Sequence, residues 1–219
     1  MAVLAYCIAE SAQGGSVPAA GVLGASIHLL RQSGLACLYS EWEEAPALSG
    51  AAVRASALAF HRVLQGAFAH GAIIPFRFPT ILGTRGDLEA FVREHAAEYS
   101  GALARLKDKA QMDVRISFQR RAGATGTGAA YLRARQAERA KLAAAAREFR
   151  DAGSEQIEAW RERELADGLR CFLLANRAAV PELRAGFERV RIAPELTARV
   201  TGPWPAAEFV SEGPVEERA

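Results

Sequence analysis

Four histidines, three cysteines and the serines are the side chains of this 219-residue chain that could do acid-base, metal or nucleophilic chemistry. His61 and His70 lie nine residues apart, about 180° around a helix of 3.6 residues per turn, so they cannot share a metal. His95 falls on the apolar stripe of a predicted helix, where an imidazole reads as a hydrogen-bonded core residue. His28 has no Cys, His or carboxylate at ligand spacing, and without a recognisable ligand pair no metal site is predicted. Cys7, Cys37 and Cys171 are odd in number, far apart and without C-x-x-C spacing, which fits free thiols in a reducing cytoplasm. No serine stands in a G-x-S-x-G elbow and no cysteine carries a nucleophile's local pattern, so neither a catalytic residue nor a cofactor is expected. GATGTGAAY leads glycines into a helix start as a phosphate loop would, yet lacks the Lys and Ser/Thr of a P-loop. It reads as a flexible hinge over 121–129. RGD within GTRGDLE is a turn and helix cap.

Two short blocks are specified beyond composition. In PFRFP, residues 75–79, Arg77 sits between aromatics on a proline-stiffened strand and could pin a neighbour by a cation-π or carboxylate contact. In TGPWP, residues 201–205, two prolines lock the backbone around Trp204 and present the indole in one place. Both blocks are open to two readings: a chain reversal with an aromatic plug for a small core, or a direct partner contact. For Trp204 the plug would serve the core of the C-terminal domain.

The elements that must position these residues follow from periodicity. Residues 2–9 and 34–40 are short apolar runs bounded by Gly, Ser and Glu, hence strands, with a Gly/Pro/Ser loop, SAQGGSVPAAG, between them. Val53, Ala57, Phe60, Leu64 and Ala67 recur at steps of three and four, one stripe of a helix from Ala51 to near Gly71. Residues 72–82 are β-rich but carry Pro75 and Pro79, which implies an edge or irregular strand. Asp87 is placed to cap a helix with Leu88, Phe91, Val92, His95, Tyr99, Leu103 and Leu106 inward. MDVRISF alternates Val114, Ile116 and Phe118 inward with Asp113, Arg115 and Ser117 outward. Residues 129–166 read as one long helical stretch, breakable at Gly153 and Ser154, whose narrow apolar seam makes it project or pair with another helix. A strand (LRCFLLAN), a short helix opened by Pro181 and a strand (ELTARV) complete the chain.

The pattern predicts an α+β protein of two small α+β domains, 1–109 and 110–219. The second is expected to be a ferredoxin-like split β-α-β unit with the 129–166 helix projecting from it. Half the residues are hydrophobic and 24% charged, which excludes a disordered or fibrous chain. Net charge is +2, too balanced to steer a polyanion, so nucleic acid is not an expected partner. With only three lysines against 24 arginines in a chain crowded with Ala and Gly, the arginines reflect codon bias and argue weakly for anion binding. No signal-peptide pattern opens the chain and no run approaches the roughly 20 apolar residues of a membrane span, so a cytoplasmic location is expected.

Three blocks resemble the gas vesicle protein L/F family. HRVLQGAFAHGAIIPFRFPTILGTRGDL, up to Leu88, is similar to that family's helical His, its strand with P-x-R-F and the helix after a short turn. GTGAAYLRARQ resembles its G-x-x-Y-L start of a long helix, and TGPWPAAEFV resembles its closing T-G-P-W-P-P-Y-x-F-V. The chain departs from the pattern at Pro79, at Ala206, Ala207 and Glu208, and ahead of the middle strand, as a divergent paralogue would. The resemblance implies a non-enzymatic accessory or minor structural protein of gas vesicle assembly. Its partners would be the small hydrophobic shell protein and other accessory proteins. It further implies that His61, Pro75, Arg77, Phe78, Tyr131, Leu132, Gly202, Pro203, Trp204 and Pro205 are structural or partner-contact positions. The competing reading is a small enzyme or ligand-binding regulator using His61, His70 and Arg77 in an interdomain cleft.

Overall fold

The computed structural model describes residues 1–10, 20–46, 48, 50–119 and 128–211. The expected hinge over 121–129 lies largely outside them. Two compact units are formed: Met1–Lys109 with Trp204–Ala219, and Ala110–Pro203. The expected span of 110–219 for the second domain is therefore corrected, because the described residues from Trp204 to Ser211 join the first unit.

The first unit is built on an antiparallel sheet in the order β2-β3-β1-β4, with β5 also pairing β1. These strands are β1 (Ala2–Glu10), β2 (His28–Gln32), β3 (Leu35–Trp42), β4 (Ile73–Pro75) and β5 (Ile81–Leu82). β1 is apolar at nearly every position, without alternation, and its first eight residues are buried. Such a run belongs to a strand covered on both faces. The cover is α1 (Ala51–His70) on one side and α2 (Arg85–Glu94) with α3 (Ala96–Arg105) on the other. Neighbouring side chains on β3 point to opposite faces. Ser40 meets Tyr6 beneath α1, whereas Tyr39 lies in the field of Arg85 and Glu89 of α2. β2, which opens at His28, joins β3 through Ser33 and Gly34, both at positive φ as a two-residue hairpin turn requires.

Two details of the helices differ from expectation. The inward stripe of α1 is Ser56, Phe60, Val63 and Phe68, and Val53 is exposed, so the helix is rotated toward its polar Ser56. Thr84, not Asp87, is the N-cap of α2. Its hydroxyl accepts from the Asp87 amide at 3.1 Å while the Asp87 carboxylate accepts from the Thr84 amide at 2.8 Å, a capping box with Asp87 at the third helical position.

The second unit runs β6 (Lys109–Phe118), α4 (Ala129–Ala152), β7 (Ile157–Leu165), β8 (Gly168–Asn176), α5 (Val180–Glu188) and β9 (Leu196–Trp204), with sheet order β7-β8-β6-β9. The 129–166 helix is corrected here: it ends at Ala152, and 157–165 is a strand paired with β8 from Ile157 opposite Ala175 to Leu165 opposite Gly168. Gly153 is the C-cap at the break, where a Cβ would lie 2.6 Å from Leu183 Cδ2 and 2.8 Å from Ile157 Cδ1, so the close approach of α5 and β7 demands glycine. α4 packs on β8 and on α5, where the Phe149 and Phe187 rings meet edge-on at 5.4 Å.

Asp113, expected outward on β6, is only 2% exposed. One oxygen accepts from Gln111 Nε2 at 2.8 Å and the other from the Arg170 guanidinium, so the buried carboxylate is paired and hydrogen-bonded.

Candidate functional site

Two consecutive residues of α1 collect the sequence blocks that had looked most specified. Phe60 points into the sheet, its ring 5.2 Å from that of Tyr6 and 5.2 Å from that of Phe78. Next to it, the His61 and Trp204 rings meet in a T-shaped contact at 5.2 Å. The PFRFP block thus reaches α1 through Phe78, while Phe76 turns to Phe91 of α2 at 5.6 Å. Its two aromatics join the two helical layers across the sheet. Arg77 between them is exposed, and the local tie is made by its carbonyl, which accepts from the Thr80 hydroxyl at 2.6 Å. The expected pinning contact of its guanidinium is replaced by that backbone bond.

The closing block is fixed by its backbone. Gly202 has φ +116, and a Cβ on it would lie 2.8 Å from the Gln111 carbonyl, so both conformation and space demand glycine. The Arg184 guanidinium donates to the Gly202 carbonyl. The Gly202–Pro203 and Phe78–Pro79 bonds are both cis. Pro203 is exposed and Pro205 buried. Arg105, at the end of α3, donates to the carbonyls of Phe209 at 3.2 Å and Val210 at 2.6 Å, holding the chain that follows. Trp204 is half-buried and belongs to the first unit, so it is not the plug of the C-terminal core that the sequence suggested. Pro75 ends β4 opposite Cys7, half-buried. Tyr131 and Leu132 open α4 and are 42% and 62% exposed.

Sequence reasoning missed a buried polar chain beside this cluster. Val22 N–H donates to the Tyr6 hydroxyl at 2.9 Å, and the Ser40 hydroxyl donates to the Ser26 carbonyl at 2.8 Å. The Ser40 proton being used, the 2.9 Å contact between the two hydroxyls must be donation from Tyr6 to Ser40. Gly21 lies so close that a Cβ would sit 2.1 Å from the Tyr6 oxygen. Burial raises the Tyr6 pKa, keeping its proton on the oxygen for that donation. A Tyr inside an apolar strand, with Gly21-Val22 downstream, was the available signal.

The remaining titratable groups have structural surroundings. His95 stacks between Phe91 at 4.3 Å and Tyr99 at 5.5 Å, with Nδ1 2.9 Å from the Phe91 carbonyl. His70 is exposed at the end of α1, on the side away from His61. His61, His70 and Arg77, the residues of the competing enzyme reading, thus have three different surroundings. All three cysteines are buried and free, and burial pushes the thiols of Cys7 and Cys171 up to about 12 and that of Cys37 up as well. Among the described residues no three His, Cys, Asp or Glu side chains group as metal ligands, and no helix is long and apolar enough to cross a membrane.

The crystal structure of gas vesicle protein GvpF from Microcystis aeruginosa is similar with a TM-score of 0.77 at 16% identity, over 96% of this chain and 99% of that one. GvpF from Anabaena sp. PCC7120 is similar with a TM-score of 0.77 at 13% identity, over 100% and 99% of the two chains. At such identities these likenesses establish the fold. A comparison with curated proteins finds no match. The family model described as gas vesicle synthesis protein GvpL/GvpF matches residues 2–211, and the chain therefore belongs to the GvpL/GvpF family.

Proposed function

We propose that this protein is a non-enzymatic accessory or minor structural component of gas vesicle assembly, working through contacts with the small hydrophobic shell protein and other accessory proteins, in the cytoplasm. The observation that carries this reading is the family match over residues 2–211, in a chain whose fold is similar to two GvpF structures along almost its whole length. The surroundings of the histidines and cysteines support contact rather than catalysis as the mode of action. The thiols are buried and protonated, and His61 and His95 are engaged with aromatic rings. The half-buried Trp204 beside His61 is the partner-contact position in this reading, because a partly accessible aromatic ring on a proline-fixed backbone orders little on binding.

The test is co-expression of the tagged chain with a gas vesicle shell protein, followed by capture. Shell protein should co-purify with the parent. Trp204→Ala should lose capture while melting within a few degrees of the parent, since a half-buried ring forfeits only part of the roughly 3 to 5 kcal/mol of a buried one. Absence of capture by the parent, with vesicles still forming in cells that lack the protein, would overturn the reading.

A further inference from the structure

α4 covers the second sheet on the side of Leu169, which lines a cavity with Leu142 of α4, so Arg170 next to it points to the opposite face. Each of the four strands brings an arginine to that face. Arg163 of β7 stands directly opposite Arg170 of β8. Ser117 Oγ lies 3.1 Å from Thr197 Oγ1, and a Cβ on Gly202 would lie 3.1 Å from Met112 Cα, so five steps back along β6 match five steps forward along β9. That antiparallel register puts Arg115 of β6 beside Arg199 of β9. Arg115, Arg170 and Arg199 are exposed and line one groove of about 420 Å³ with Asp113 and Asp167. Like charges directly opposite one another weaken a sheet, and here two such pairs stand on neighbouring strands. The fold offsets them locally. The Arg163 and Arg170 guanidinium groups lie 5.0 and 4.8 Å from the centroid of the Phe172 ring, Arg170 donates to Asp113, and Arg115 pairs with Asp167 at 2.7 Å. Of the Arg170–Asp113 pair the side chains are 44% and 3% exposed, so a molecule reaching this groove meets the cation.

We propose that this arginine face docks the acidic side of a helix on a protein partner. Neighbouring strands lie about 4.8 Å apart, so one arginine per strand spreads four guanidinium groups over about 14 Å. Carboxylates three and four residues apart on a helix recur at about 5 to 6 Å, so a helix lying across the strands offers one to each arginine. The planar guanidinium takes a carboxylate through two parallel hydrogen bonds, which fixes the direction of the helix as well as holding it. Arginine pairs that cost the free sheet stability then become an opposite-sign contact in the complex. The aromatic at this place argues for protein over nucleic acid. A sheet that reads single-stranded RNA stacks bases on accessible rings, whereas Phe172 is 2% exposed and lies under two guanidinium groups. The arginine face belongs to the second unit and Trp204 to the first, so either contact can be abolished while the other is kept.

The probe is a labelled alanine-rich peptide of about 20 residues, long enough to be helical in water, with glutamates at i, i+4, i+7 and i+11 along one face. Titrated with the full chain and followed by fluorescence anisotropy, it should bind saturably in the micromolar range and release as salt is raised from roughly 20 to 200 mM. A peptide of the same composition with its glutamates spread around the helix should bind at least about threefold more weakly, since fewer of them reach the arginines at once. Arg199→Glu should weaken binding of the one-face peptide at least about tenfold and yet melt at or above the parent's temperature, because it turns the opposition to Arg115 into an unlike pair. No saturation by the one-face peptide, equal binding of the two peptides, or parent-like binding by Arg199→Glu would each overturn the proposal. So would a markedly lower melting temperature for Arg199→Glu, or tighter binding of a single-stranded RNA oligonucleotide than of the peptide at the same salt.

Discussion

Replacing Tyr6 by Phe removes one oxygen from the first unit and leaves the ring, and the cost follows from the direction of the proton chain. Val22 N–H, fully buried, donates to the Tyr6 hydroxyl, which donates to Ser40, which donates to the Ser26 carbonyl. In Tyr6→Phe the last bond survives and the Val22 amide loses its acceptor. A buried donor left unsatisfied costs about 1 to 3 kcal/mol. Ring packing against Phe60 at 5.2 Å is retained, so no cavity term is added. A loss of about 2 kcal/mol should lower the melting temperature by roughly 4 to 8 °C for a chain of this size. Urea unfolding should show a lower midpoint at an unchanged slope, and the Val22 amide should exchange with solvent faster. Ser40→Ala acts on the same chain, so the double variant should cost less than the sum of the singles. Gly21→Ala, whose Cβ would lie 2.1 Å from the hydroxyl oxygen, should be more harmful in the parent than in the Tyr6→Phe background. A Tyr6→Phe protein with the parent's stability and Val22 protection, and additive behaviour with Ser40→Ala, would refute the directed chain.

Two further outcomes rest on single sites. Gly168→Ala should destabilise the second unit by about 3 kcal/mol or more, because its Cβ would lie 2.0 Å from the Ile116 carbonyl oxygen, whereas Gly101→Ala, in open space within α3, should stabilise by about 0.5 to 1 kcal/mol; denaturant midpoints decide both. Stability should fall above about pH 9, because thiols raised in the folded state ionise first in the unfolded one, so the unfolded chain binds fewer protons there. Each thiol should account for about 1.4 kcal/mol by pH 10, and a Cys→Ala triple variant should show a flatter profile between pH 8 and 10 than the parent.

Where one face of an element met one kind of environment, its residues were readable. β1 and β3 are apolar runs too short for helices, and α1 begins and ends where its period begins and ends. Reading failed where charge hid the period. In AWREREL the side chains of one face are Ala159, Arg161, Arg163 and Leu165, an alternation whose centre is filled by arginines, and a bulge between Ile157 and Ala159 turns Ile157 to the other face. Arg163 lies over the Phe172 ring at 5.0 Å, so its stem takes an apolar place while its head stays polar, and the composition mimics a solvated helix. Asp113 failed for the converse reason. A carboxylate in an alternating strand reads as outward unless its counter-ion is known, and Arg170 is 57 residues away in the sequence.

The same limit explains why the two most specified blocks could be seen in the sequence and their meeting could not. Proline and glycine mark PFRFP and TGPWP as fixed backbone, since φ is restricted at the one and a positive φ demanded at the other. Nothing in either block names its target, because an aromatic ring recognises an apolar surface by shape and many surfaces in a folded chain offer it. The target is a pair of adjacent residues on α1, one inward and one toward its flank: the buried Phe60 meets the half-buried Phe78, and the half-buried His61 meets Trp204. The two aromatics therefore answer differently to the same truncation. Phe78 meets a buried ring, so its truncation also loosens the contact of Phe60 with the core, whereas Trp204 meets the half-buried His61 and can be truncated with the core beneath it closed.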